Sequence, residues 1–158
     1  MEHRIKILPS QWSYVDFVKF TDALTRKNDY ELAYKLAEQM VIEWDYDIEL
    51  APGAIRLLPL VESTKVLRTV LNMLEKLSQD INTDGIEVSF DRWTLVDMSK
   101  YLALKGEGKA EATLRMLAEI ITVDGQPLEE PEEVSAVLGM QIAKAVNDKY
   151  TEMLKGEA

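Results

Sequence analysis

The sequence predicts a mainly α-helical protein of two tandem units, each a short strand followed by helices, packed as one helical body. Three observations predict it. The first is an internal repeat. Sliding the chain by 81 residues lays Trp12 on Trp93, Val15 on Val96, Asp16 on Asp97 and Lys19 on Lys100. Ser13 meets Thr94, Phe17 meets Met98 and Phe20 meets Tyr101, while upstream Ile5 meets Ile86 and Ile7 meets Val88. The second is a short alternating segment ahead of each copy, and the third is a run of amphipathic helical periods behind it.

The register continues downstream, where Leu36-Ala37-Glu38 meets Leu117-Ala118-Glu119 and Ile42 meets Val123. Beyond the turn region an offset of 80 pairs Leu58 with Leu138, Val66 with Val146 and Met73-Leu74 with Met153-Leu154. A change of length between helices is tolerated because turns lie on the surface. The copies are residues 1–82 and 83–158, with the stretch 79–85 (QDINTDG) as the boundary. No Ser/Gly-rich linker separates them, which is why one body is expected.

Each copy opens on period-two alternation, Arg4-Ile5-Lys6-Ile7-Leu8 and Gly85-Ile86-Glu87-Val88-Ser89-Phe90, the pattern of a strand with one apolar face. Neither is stable alone, so the two are expected to pair as a small two-stranded sheet. Ser10 and Asp91 are the expected N-caps of the helices that follow, each offering a side-chain oxygen to first-turn amides. In the first of these helices Trp12, Val15, Phe20, Ala23 and Leu24 share one face. Asp16, Lys19, Asp22 and Arg26 share the other, with Asp22 and Arg26 spaced for an i,i+4 ion pair.

A second helix is expected from Asn28, with Glu31 closing a capping box. Its apolar face runs Leu32, Ala33, Leu36, Ala37, Met40 and Trp44. In the second copy Gly106 and Gly108 break the chain, and a helix from Lys109 to Thr122 turns Leu114, Leu117, Ala118 and Ile121 inward. Punctuated turns follow at Pro52-Gly53 and Asp124-Gly125. Copy one closes with helical pieces Ala54–Leu58 and Glu62–Ser78, separated by Pro59. In copy two Pro131 suits a first helical position and Glu132 and Glu133 suit the first-turn dipole. Gly139 is expected to separate that piece from Met140–Leu154.

Composition narrows the chemistry. The 158 residues carry a net charge of -10, divided as 13 acids and 10 bases over residues 1–82 and 15 acids and 8 bases over 83–158. Phosphate binding needs concentrated Lys and Arg; here they are scattered among acids, so no nucleic-acid partner is expected. The absence of cysteine removes disulfides, thiolate metal sites and cysteine nucleophiles. No apolar run is long enough to span a membrane and the start MEHRIKIL lacks a signal-peptide core, so a cytoplasmic location is expected.

No catalytic constellation is legible. His3 is the single histidine, and the seven glycines never fall at phosphate-loop spacing. No cofactor is expected, and the expectation is a non-enzymatic protein. In the acidic run EWDYDIE, Glu43 to Glu49, Asp45 and Asp47 are of a type that ligates hard cations. Counted from Asp45 as position one, however, the calcium-loop template puts Leu50 at its glycine and Arg56 at its bidentate glutamate. The segment is expected to be a solvated turn. Trp44, Tyr46, Ile48 and Leu50 alternate with its acids and suit an extended piece with an apolar face.

The run FTDALTRKNDYELAYKLAEQMVIEWDYD, with Asn28-Asp29-Tyr30 and Glu43-Trp44-Asp45, resembles the tail assembly chaperones of long-tailed phages. The stretch ITVDGQPLEEPEEVSAVL resembles small phage tail and assembly proteins, although the second copy lacks the Trp-Asp pair. The resemblance implies a small, acidic, helical protein that binds the long helical tape measure protein and keeps it soluble until tail tube subunits assemble around it. Trp44, Tyr46, Leu57, Leu58 and Leu60 are the residues expected to form its groove. The alternatives are an acidic helical adaptor and a small carboxylate-dependent enzyme.

Overall fold

The computed structural model describes residues 3–8 and 12–156. The chain forms two compact units. One runs through Asp80 but omits Ser13–Val15; those three residues and the chain from Ile81 onward form the other. The division falls within the stretch 79–85. Helices dominate both units.

In the first unit the order is strand β1 (Ile5–Ile7), helix α1 (Tyr14–Thr25), helix α2 (Tyr30–Met40), strand β2 (Val41–Trp44), short helix α3 (Ala54–Leu57) and long helix α4 (Leu60–Gln79). The second follows the same order: β3 (Ile86–Val88), α5 (Leu95–Gly106), α6 (Ala110–Leu117), β4 (Ile121–Val123), a single 3-10 turn at Pro131–Glu133, and α7 (Ala136–Leu154). It adds one element, the two-residue strand β5 (Gln126–Pro127).

Sheet pairing differs from the expectation. The strands β1 and β3 do not pair with each other. Instead β1 pairs antiparallel with β2, and β3 pairs antiparallel with β4. Val41–Trp44 and Ile121–Thr122, expected as helix, therefore lie in strands, the second of which runs on to Val123. Their backbone groups find partners across the ladder, which an isolated short strand lacks. Leu8 N–H donates to Met40 C=O at 2.9 Å, and Ser89 N–H donates to Ile120 C=O at 2.8 Å. A register shift between Lys6 and Ile7 leaves an extra residue on β2.

Caps also moved. Ser10 lies outside the described residues. Asp91 does not cap α5; Thr94 does, accepting from Asp97 N–H while Asp97 accepts from Thr94 N–H in a capping box. Asp29, not Asn28, caps α2 by accepting from Leu32 N–H. Pro131 does occupy the first position of its helical turn. Gly139 does not end a helix. Ser135 caps α7 and Gly139 lies inside it, where an added Cβ would overlap the Tyr14 ring.

The first core gathers Trp12, Phe20, Ala23, Ala33, Leu36, Met40, Ile55, Val66 and Val70, all buried. The Trp12 indole N–H donates to Leu36 C=O at 2.8 Å, so the ring's polar edge is satisfied in the interior. Asp22, expected on the solvent face, is buried and ion-paired with Arg26 at 3.2 Å and Lys27 at 3.5 Å. In the second core Met98, Tyr101, Leu114, Leu117, Ile121, Ile142 and Val146 pack together, with Trp93 half-buried against them. Tyr14 N–H donates to Val134 C=O at 2.8 Å, which ties the first turn of α1 into this unit.

Burial does not follow the late register expected from the sequence. An offset of 80 matches buried Leu74 with Leu154, which is 71% exposed. An offset of 76 matches buried residues with buried residues: Leu58 with Val134, Ser63 with Gly139, Val66 with Ile142 and Val70 with Val146. The loop 124–130 is two residues shorter than the loop 45–53, which accounts for part of the change.

Candidate functional site

The segment after β2 is where the units part. Trp44 and Tyr46 meet edge to face with ring centroids 5.3 Å apart, and the Trp44 indole N–H donates to Ile48 C=O at 2.9 Å. That bond folds Asp45–Ile48 into a tight loop. Tyr46 also stacks on His3 at 4.0 Å and donates its hydroxyl to Glu62 on α4 at 3.1 Å. His3 Nδ1 lies 2.9 Å from Asp45 Oδ1. The loop is thus fastened on one side to the chain before β1 and on the other to the first turn of α4.

Electrostatics follow from these bonds. Hydrogen bonding from the Arg4 backbone, aided by the His3 side chain, holds the Asp45 carboxyl below its ordinary value. Burial, and then the Glu62 hydrogen bond and charge, push the Tyr46 phenol up to about 12. Beside this cluster lies a cavity of about 320 Å³ lined by His3, Ile5, Tyr46, Lys65, Arg68, Thr69 and Asn72. A histidine held by a carboxylate has the orienting partner that a base needs. Among the described residues no serine lines this cavity, and Lys65 and Arg68, both exposed, are part of its lining. Among the described residues no group of three or more metal-ligating side chains occurs, so Asp45 and Asp47 do not belong to one.

The five expected groove residues separate. Trp44 and Tyr46 share the loop. Leu58 is buried at 7% exposure and belongs to the core, because it closes the corner between α3 and α4. Leu57 and Leu60 are exposed at 70% and 76%, and Val61 beside them at 65%. Tyr46 reaches Glu62, and two helical steps put Leu60 about 160° around α4 from Glu62. One flank of α4 therefore carries the Trp44–Tyr46 loop; Leu60 lies on another, and with Val61 and with Leu57 at the end of α3 it makes up an exposed apolar shelf. Glu38 braces the shelf from below, accepting from Gly53 N–H at 2.9 Å and Ile55 N–H at 3.3 Å at the start of α3.

Sequence reading missed His3, Glu62 and Val61. Forty-two positions separate His3 from Asp45, and no local pattern links them. Val61 was legible as an apolar neighbour of Leu60 at the helix start. No family model, curated protein or solved structure matches this chain. No helix in the described residues is long and apolar enough to cross a membrane.

Proposed function

We propose that this protein is a non-enzymatic tail assembly chaperone that holds an apolar helical segment of a tape measure protein and keeps it soluble. The observation that carries the reading is the apolar shelf Leu57–Leu60–Val61, exposed on an acidic protein. Large apolar side chains exposed together at a helix corner suit the apolar face of a partner helix. The net charge of -10 keeps such a complex dispersed. The resemblance around Asn28-Asp29-Tyr30 and Glu43-Trp44-Asp45 supplies the class of partner. We also read the chain as a tandem duplication. The common element order, and ring pairs Trp12–Phe20 and Trp93–Tyr101 at 4.9 and 5.7 Å, support that reading.

Co-expression with the long helical protein encoded beside it tests the function. The expected outcome is a soluble complex on size exclusion. The double substitution Leu57→Asp, Leu60→Asp should abolish it while leaving the circular dichroism of the free protein unchanged. Failure of the native chain to solubilise that neighbour overturns the proposal.

A further inference from the structure

In the second unit β4 is paired on both sides, with β3 on one edge and β5 on the other. The chain closes this outer edge itself. Asp124 and Gly125 take φ of 51° and 82°, the left-handed pair that a two-residue hairpin turn needs, and Val123 then pairs with Gln126. The first unit repeats the inner ladder: Asp45 N–H donates to Arg4 C=O at 3.2 Å, as Asp124 N–H donates to Gly85 C=O at 2.7 Å. Tyr46 stands where Gly125 stands. A tyrosine is disfavoured at positive φ, and neither Asp45 nor Tyr46 adopts it. The loop runs on toward His3 and Glu62, and among the described residues no strand covers the outer edge of β2.

Because Asp45 N–H points at β1, strand alternation turns the N–H and C=O of Trp44 the other way. Neither has a backbone partner on that side among the described residues. We propose that this edge, at Glu43–Trp44, accepts an extended segment of a partner protein as an added antiparallel strand, the segment alternating apolar and basic residues. The apolar residues continue the face of Ile5 and Trp44. The basic ones lie beside Glu43, Asp45, Asp47 and Glu49, all exposed. A second copy is a poor occupant, since edge-to-edge pairing brings Glu43 toward its own equivalent and like charges across strands repel. This site takes an extended chain and does not depend on the apolar shelf.

A short peptide of alternating valine and lysine is the probe, and amide hydrogen exchange read residue by residue is the measurement. Saturable binding should slow exchange at Trp44 by about tenfold or more and leave Val123 unchanged. A backbone N-methylated peptide and a valine–glutamate peptide should not bind. Glu43→Lys should weaken the lysine peptide by about tenfold. Replacing Tyr46, Asp47 and Ile48 by Gly, Gln and Pro, the second unit's own residues, should close the edge, protect Trp44 without peptide and abolish binding. If that variant does not fold, Glu43→Lys and the N-methylated peptide decide. Binding without slowed exchange at Trp44, or equal binding of the N-methylated peptide, overturns the proposal. So does protection of Trp44 in a peptide-free dimer, which would give the edge to a second copy.

Discussion

The two units lay down the same elements in the same order, yet only the second finishes its sheet. The difference is local. A glycine at position 125 lets the chain double back as β5, and a tyrosine at position 46 sends it away from β2 toward α4. The few residues after the strand decide whether its edge is closed by its own chain or left open. Similar cores can therefore carry dissimilar surfaces.

The cores themselves offer the strongest ways to break that comparison. Phe20 is fully buried beside Trp12, and Phe20→Ala should cost about 3–5 kcal/mol in urea unfolding. Writing the second unit's residue there, Phe20→Tyr, should cost about 1–3 kcal/mol, because a hydroxyl enters a packed apolar site. Next comes the long helix. At offset 76 Ser63 of α4 corresponds to Gly139 of α7. Ser63 has room for its hydroxyl, which donates to Leu60 C=O at 3.1 Å. Gly139→Ser should destabilise by about 1–3 kcal/mol, since its Cβ would overlap the Tyr14 ring. Full native stability in that variant would mean that α7 and Tyr14 are not in close approach.

The tryptophans predict a smaller, asymmetric effect. Trp12→Phe removes the indole hydrogen bond to Leu36 C=O and shrinks a packed ring, and should cost about 1–3 kcal/mol. Trp93 Nε1 is buried with no partner among the described residues. Trp93→Phe removes that unpaired donor and should cost clearly less than Trp12→Phe in the same urea titration. Equal losses would mean that the two indoles are held alike.

Smallest is an alkaline effect that the units share. Tyr46 in one and Tyr101 in the other are each raised to about 12, Tyr101 by burial first and then by Tyr14. A phenol whose folded pKa is raised keeps its proton while the unfolded chain loses one, so its contribution is complete below about pH 10. It is lost as pH rises through 12. Burial also raises the Tyr14 phenol, so phenolate absorbance should show three late-titrating tyrosines, Tyr14, Tyr46 and Tyr101, and Tyr46→Phe should remove one.

Much of the fold was legible because helical amphipathicity is local. The break at Pro59 between α3 and α4 could be read from spacing. The strands β2 and β4 were not legible, because VIEW and ITV continue an amphipathic helix without a break and their partners β1 and β3 lie over 30 residues away. Thr94 and Asp97 do spell a capping box, but Asp91 sits nearer the preceding strand and drew the assignment. Gly139 looked like a helix breaker, and only its tertiary neighbour explains it. At the candidate site Trp44 and Tyr46 were found as a pair, whereas burial of Leu58 depends on how α3 meets α4.

The most direct test of the comparison is the backbone amide exchange of Trp44 against Val123 in the free protein. Slow exchange at Val123 and near-unprotected exchange at Trp44 is the predicted result, with protection of Trp44 appearing only when a partner strand binds. Equal, strong protection of both amides in the free monomer would contradict it.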